Sequence, residues 1–336
     1  MRRPALIRVD PTTWNNHFRV RPLLKWAGGK RQLLPVLRQY YPDSFRRYVE
    51  PFFGSGAVFF DLYNAGRLTD RHARLIDNNP DLVGCYRTLR DSPEAVIAAL
   101  EPLAEGHRAG GARFFYDVRD GRFNPARAVA HGTYTPELAA MLIYLNRTGF
   151  NGLFRLNRRG DFNVPAGRYK NPRICNADHL RDVAGALGGN RISIERGSFE
   201  QSLADAASGD FVYCDPPYAP LSRTACFAQY TAGGFSMTDQ ERLQQAVVAA
   251  AERGAIVVVS NSSAREIEEM YRSAAARRAG LRVRRVPARR AINSRASLRG
   301  PVDELIVTNA ARVTLTTIPL RPKMARAGLP AREKRA

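Results

Sequence analysis

Several scarcities narrow the class of this chain before any motif is read. Only four of its 336 residues are cysteine, Cys85, Cys175, Cys214 and Cys226. None stands in a C-x-x-C pair and no histidine cluster accompanies them, which argues against zinc and disulfide frameworks and fits a reducing, cytoplasmic setting. No apolar run approaches the roughly 18 residues of a membrane span, so no membrane association is expected. The first residues, MRRPALIRVDPTTW, lack a long apolar stretch, and no signal peptide is expected. No internal repeat is present. Lysine is scarce too: Lys25, Lys30, Lys170, Lys323 and Lys334 complete the set.

The scarcity of acid matters most. Asp and Glu together number 31 against 52 Lys and Arg, a formal net charge of +21. An excess this large points to a polyanion, because cationic side chains neutralise phosphates and release counterions. The cations are nearly all arginine, which suits bidentate contacts to phosphate and guanine. Genomic base composition can also enrich arginine, and a basic surface that aids solubility is the bland alternative. Hydrophobic residues make up 44% of the chain, enough for a substantial core in one large domain or two of ordinary size.

The order of segments predicts an α/β sheet in two pieces. Residues 1–20 read as a loose leader. RYVEPFFGSGAVFFDLYNAG (47–66) reads as strand, glycine turn and helix, and ARLIDNNPDLVGCYRTLRD (73–91) as a strand ending at Asp77 followed by a helix. From 84 to 190 the chain reads as helical, interrupted by a hairpin with Phe154-Arg155-Leu156 on one arm, a turn at Arg159-Gly160, and Phe162-Asn163-Val164 on the other. Strand–helix alternation resumes with RISIERGS (191–198), DFVYCDPPY, the helix TDQERLQQAVVAAAERG and AIVVVSNSS, and closes with VDELIVTNAA (302–311). Thr238 and Glu241 read as a capping box for that helix and Gly254 as its C-terminal glycine. The catalytic sheet thus spans 21–83 and 191–311, the inserted module 84–190, and a basic tail without predicted structure 312–336.

Three stretches carry chemistry. Gly54-x-Gly56 follows a strand, but G-x-G-x-x-G fails at Phe59, so the glycines alone are weak evidence for a dinucleotide. Asp77, about 20 residues on at the end of the next strand, can accept from ribose hydroxyls, which favours an adenosine-containing cofactor. LLKWAGGK (23–30) is not a phosphate loop, since Lys30 is followed by Arg31; a turn at Gly28-Gly29 brings Trp26 near Lys30, whose ammonium could meet a carboxylate. Asp215-Pro216-Pro217-Tyr218 ends a strand at the carboxyl edge of the sheet, where open α/β folds bind ligands. A carboxylate, a carbonyl fixed by two rigid rings and a flat aromatic face suit a planar group with an exocyclic amine.

With these residues in place, the chain resembles the Dam-type, D12 class (alpha group) DNA adenine-N6 methyltransferases. The resemblance runs from Leu23 to about Asn309 and includes, in family order, LLKWAGGK, VEPFFGSGAVFF, IDNNPDLVGCY, NRTGFNGLFRLNRRGDFNVPAGRYKNP, VYCDPPYAPLS and VDELIV. It implies a Rossmann-like S-adenosylmethionine-dependent methyltransferase sheet with an inserted, mostly helical target-recognition domain carrying a β-hairpin. It implies S-adenosyl-L-methionine as cofactor, contacted by Trp26 and Lys30, looped by Pro51, Phe52, Gly54 and Gly56, and held at the ribose by Asp77 with Asn78 beside it. Ser198-Phe199 falls where many members carry Asp-Phe against the cofactor adenine. Asp215, Pro216, Pro217 and Tyr218 match the catalytic motif, which acts on an adenine flipped out of duplex DNA. Arg155 matches the guanine reader of the hairpin, Leu153 and Pro165 match thymine contacts, Asn151 a base-region contact, and Phe150 the wedge that fills the flipped base's gap. Lys25 matches a contact to the outer guanine, and together these imply a GATC site.

The resemblance further implies double-stranded DNA as partner, no metal, a monomer, and a cytoplasmic, nucleoid-associated location. The Arg-dense stretch 277–300 reads as tracking phosphates, with Arg295 and Ala296 where the family often has glycine. Methylation of RNA or of a protein amide, and a non-catalytic DNA-binding regulator on the same fold, stay open at this point.

Overall fold

Seven strands pair into one sheet: β1 (Arg47–Glu50), β2 (His72–Asp77), β3 (Ile192–Arg196), β4 (Asp210–Cys214), β5 (Ile256–Ser262), β6 (Arg282–Arg289) and β7 (Pro301–Thr308), in the order β3-β2-β1-β4-β5-β7-β6. The computed structural model describes residues 20–26, 28–219, 235–289 and 301–311, without the side chains of 288, 289, 301 and 302. The leader before Val20, the tail 312–336, Cys226 and the stretch with Arg295 and Ala296 lie outside the described residues. β1 to β5 run parallel, and β7 enters antiparallel between β5 and β6.

β4 is buried along its whole length, as expected of a central strand covered on both faces. The strand order reverses between β1 and β4, so their carboxyl ends border a crevice, the usual ligand position in open α/β sheets. Gly56 has φ +68°, and a Cβ there would lie 2.4 Å from Phe53 Cε2, so the turn from β1 into the helix Ala57–Asn64 requires glycine. After β2, the Asn79 side chain accepts from the amides of Asp81 (2.9 Å) and Leu82 (3.4 Å) and starts the helix Pro80–Asp91, with Pro80 at its first position. That helix runs through positions 83 and 84 and packs on both β2 and the inserted helices.

Between β2 and β3 the chain forms the helices Pro93–Val118, Asn124–Ala130, Pro136–Thr148 and Ala177–Leu187, with a π-helical turn at Arg119–Phe123. One hydrophobic cluster runs unbroken from Tyr48 and Phe211 on the sheet to Leu142 and Phe162 in this module. A second covers the other face of the sheet, with Val212, Val247, Ile267 and Leu305.

Three details differ from the sequence-based expectations. Residues 282–289, read as part of the Arg-dense loop 277–300, form instead the edge strand β6; its Arg285 pairs with Glu268 of the helix Arg265–Tyr271. Pro287 is tolerated because one side of this edge strand has no ladder partner among the described residues. The helix Met237–Glu252 is capped by Ser236 and Asp239, two residues before the expected Thr238 and Glu241: Ser236 N donates to Asp239 Oδ2 (2.8 Å) and Asp239 N to Ser236 Oγ (3.1 Å). Two overlapping capping boxes stand in that sequence, and the earlier one starts the helix. The hairpin around Gly160 is held by isolated bridges, Gly149 to Ala166 and Leu156 to Phe162, rather than by regular strands.

Candidate active site and DNA interface

The residues after β1, β2 and β4 converge. At the end of β4, Asp215 Oδ1 accepts from Lys30 Nζ at 2.8 Å and from Ser260 Oγ at 2.9 Å. Lys30 is buried, 5% exposed; its ammonium also donates to the Gly28 carbonyl (2.5 Å) and lies 4.4 Å from the centre of the Tyr218 ring. Gly28 (φ +80°) makes the turn that returns Lys30 to the sheet. Burial raises the Asp215 carboxyl above its ordinary range, while the Lys30 ammonium and the Ser260 hydroxyl draw it back down. Among the described residues nothing donates to Asp215 Oδ2 or to the Pro216 carbonyl, so two acceptors stay open there.

The motif is braced from three sides. Gln240 Nε2 donates to the Pro217 carbonyl at 2.9 Å and is itself held by Asn261 Nδ2 at 2.9 Å. Tyr218 OH donates to Glu304 Oε2 at 2.6 Å. Ser260 shares a 2.9 Å hydrogen bond with Tyr213. Below the crevice, Glu50 ends β1, 2% exposed, and accepts from the Tyr48 hydroxyl at 2.9 Å; burial pushes its carboxyl well up. None of Ser260, Gln240, Glu304 or Glu50 was anticipated as a site residue. Glu50 alone carries a local signal, as a lone acid in the otherwise apolar end of RYVEPFF.

The glycine loop meets β2 through Asp77. Its Oδ2 accepts from Gly54 N (2.9 Å) and its Oδ1 from Asn79 N (2.9 Å), leaving further lone pairs open. Burial raises this carboxyl to about 6. A Cβ on Gly54 would lie 3.1 Å from Trp26 Cδ1, so the indole lies close against the loop. Pro51 is buried, Asn78 is exposed, and Phe52 stacks on Phe199 with centroids 5.6 Å apart and planes at 24°. The Ser198 hydroxyl accepts from Gln201 N at 3.3 Å and caps the helix Phe199–Ala204. That is a role serine and aspartate share.

The recognition candidates gather beside this crevice. Trp26 stacks on Phe154 of the hairpin, centroids 5.6 Å apart. The Lys25 backbone exchanges two 2.8 Å hydrogen bonds with the Asn146 side chain, which also holds the Gly152 carbonyl at 2.9 Å. Lys25 Nζ donates to Tyr169 OH at 3.4 Å. Phe150 is a large hydrophobic residue left 48% exposed, and Asn151 follows it at φ +54°. Leu153 is half-buried; Arg155 and Pro165 are exposed. The Arg155 guanidinium donates to the Asn163 side chain (2.8 Å) and carbonyl (3.3 Å) across the hairpin.

The profile of the D12 class N6 adenine-specific DNA methyltransferases matches residues 26–284. The chain belongs to this family. Its relatives include the type II methyltransferase M1.LlaDCHI of Lactococcus lactis subsp. cremoris, 39% identical over 88% of this chain and 97% of that one. The type II methyltransferase M.MjaIII of Methanocaldococcus jannaschii is 35% identical over 86% of this chain and 99% of its own. The DNA adenine methylase of Escherichia coli K12 is 35% identical over 85% and 94%. As a D12 class enzyme the chain methylates adenine N6 in DNA, and its seven-stranded sheet fits the class I methyltransferase fold. Among the described residues no helix is long and apolar enough to cross a membrane, and no cluster of three or more metal-ligating side chains occurs.

Proposed function

We propose that this D12 class enzyme uses S-adenosylmethionine to methylate N6 of an adenine flipped out of duplex DNA, at GATC sites. The observation that carries this reading is the Asp215 carboxylate: both neighbours, Lys30 and Ser260, occupy Oδ1, while Oδ2 and the Pro216 carbonyl remain as two acceptors for the two N–H bonds of one amine. Accepting both hydrogen bonds favours a more tetrahedral N6 and aims its lone pair. The Lys30 ammonium favours the ionised form of Asp215 against the burial that opposes it. Tyr218, anchored by Glu304, offers its ring to the base.

The remaining residues suit the donor. The Gly54 backbone can approach a ligand closely beside the Trp26 indole, Asp77 can accept from ribose hydroxyls, and Phe52 and Phe199 offer an apolar slot for a purine. S-adenosylmethionine supplies a methyl group on a sulfonium, already an excellent leaving group. Residues 84–190 form the recognition module in this reading. Arg155 reads a guanine edge, Lys25, Asn151, Leu153 and Pro165 contact the other bases, and Phe150 fills the gap left by the flipped base.

Tritiated methyl from S-adenosylmethionine should appear on duplex DNA and protect GATC from a methyl-sensitive nuclease. Asp215→Ala should abolish transfer and leave DNA binding largely intact. No incorporation into any DNA sinks the donor assignment; incorporation without GATC protection sinks the site alone.

A further inference from the structure

The second arm of the hairpin is fastened along its outer edge by side chains from one helical segment. The carbonyls of Gly160, Phe162 and Val164 accept from Arg127 Nη1 (2.6 Å), Asn124 Nδ2 (3.1 Å) and Arg119 Nη1 (3.0 Å). These carbonyls alternate along the chain, as those on one edge of an extended strand do. Asn124 closes a second bond, accepting from Phe162 N at 2.9 Å, so its amide pairs with the arm as a neighbouring strand's peptide would. The inner edge faces the first arm, with Asn157 N donating to Asp161 O (2.8 Å) and Asn163 N to Arg155 O (3.1 Å).

The spacing of the three donors has a cause. Along an α-helix a step of five residues turns a side chain about 140° out of line. Residues 119–123 are π-helical, and i→i+5 bonding brings Arg119 into line with Asn124. Arg127 follows at i+3 in the helix Asn124–Ala130 and lies on the same side. Arg127 also holds the buried Asp81 carboxylate with two bonds of 2.7 and 2.8 Å, four residues beyond Asp77.

The arm needs such fastening. Its own ladder consists of isolated bridges, and a lone two-stranded hairpin is marginal in water. A slip of the second arm by one residue would turn its side chains to the opposite face, exposing the buried Phe162 and Val164 and carrying away Asn163, which accepts from Arg155. We propose that Arg119, Asn124 and Arg127 form a clasp that sets the register of the recognition arm, and are positioning residues for target specificity. The specificity part rests on the reading of Arg155 given above; the register part does not.

Asn124→Ala and Asn124→Asp test the clasp in the full-length enzyme, with Arg155→Ala as reference and circular dichroism to verify folding. kcat/KM is compared on the preferred duplex and on duplexes altered at one base, and hydrogen exchange is followed at the amides of Asp161 and Asn163. Loss of the Asn124 bonds should lower discrimination about tenfold and speed exchange about tenfold. Asn124→Asp, which keeps the acceptor for Phe162 N, should fall between. Unchanged exchange in Asn124→Ala overturns the clasp whatever the site preference. Accelerated exchange with discrimination retained, while Arg155→Ala loses it, overturns the specificity role. If Arg155→Ala itself leaves the preference intact, the reading of Arg155 fails, and the exchange rates alone decide the register role.

Discussion

Replacing Lys30 by methionine isolates what the buried ammonium does for Asp215. The pair is 2.8 Å apart with exposures of 5% and 19%. At an effective dielectric constant of 20 that distance corresponds to about 6 kcal/mol of attraction, and removing one partner of a buried pair costs about 3–5 kcal/mol. The partial exposure of Asp215 puts the change near the lower end. The orphaned carboxylate can evade much of that cost by taking a proton, since burial already pushes it up and its main opposing influence is gone. A protonated Asp215 is a poorer acceptor: hydrogen bonds to charged groups exceed neutral ones by about 1.4 kcal/mol, roughly a tenfold rate loss. Single-turnover methyl transfer at saturating donor, followed from about pH 5.5 to about pH 9, should therefore be about tenfold slower in Lys30→Met at neutral pH. The loss should shrink as pH rises, because alkali restores the carboxylate; the acid limb moves to higher pH. Stability follows the same sign. A carboxyl raised in the fold binds more protons folded than unfolded between its two pKa values, so the variant's stability declines as pH rises through that window. Profiles that superimpose after vertical scaling would refute the reasoning and reassign Lys30 to donor binding alone.

Three further outcomes are expected. Gly56→Ala should lose about 3 kcal/mol, from a left-handed φ and a 2.4 Å approach to Phe53; a thermal melt within about 2 °C of the parent would contradict this. S-adenosylmethionine affinity by calorimetry should weaken as pH falls through about 6, where Asp77 takes up its proton and loses acceptor strength. Asp77→Asn should bind weakly at all pH values, and a parent affinity flat across that range would remove Asp77 from ribose binding. Arg155→Ala should relax discrimination at one guanine by about 1–3 kcal/mol, and an unchanged preference in competition assays would remove Arg155 from base reading.

Much of the sheet was legible because its strands are apolar runs with breakers at their ends, as Phe211-Val212-Tyr213 ends in two prolines. β6 was not: RVRRVPAR carries four arginines and a proline and looks like a solvated loop, yet Val283 and Val286 pack inward and its edge position tolerates the rest. Lys30 and Asp215 were visible as an ammonium on a glycine turn and a carboxylate at a strand end. Ser260, Gln240 and Glu304 were not, since nothing local distinguishes a polar residue that braces a distant motif from one that faces water. The 119-124-127 spacing matches neither the 3.6-residue nor the 2-residue period, so only the π-helical turn makes it intelligible.

The cationic strand at the end of the sheet bears on solubility. An exposed strand edge is a template on which a second chain could add its own strand and begin aggregation. β6 presents exposed Arg282, Arg284 and Arg285 and an exposed Pro287 along that edge. A second copy would bring the same charges to the same place, so the pairing of like edges is disfavoured by repulsion, and Pro287 withholds one of the donors such pairing needs. Among the described strands, the sheet is thus guarded against its own copies at its β6 margin.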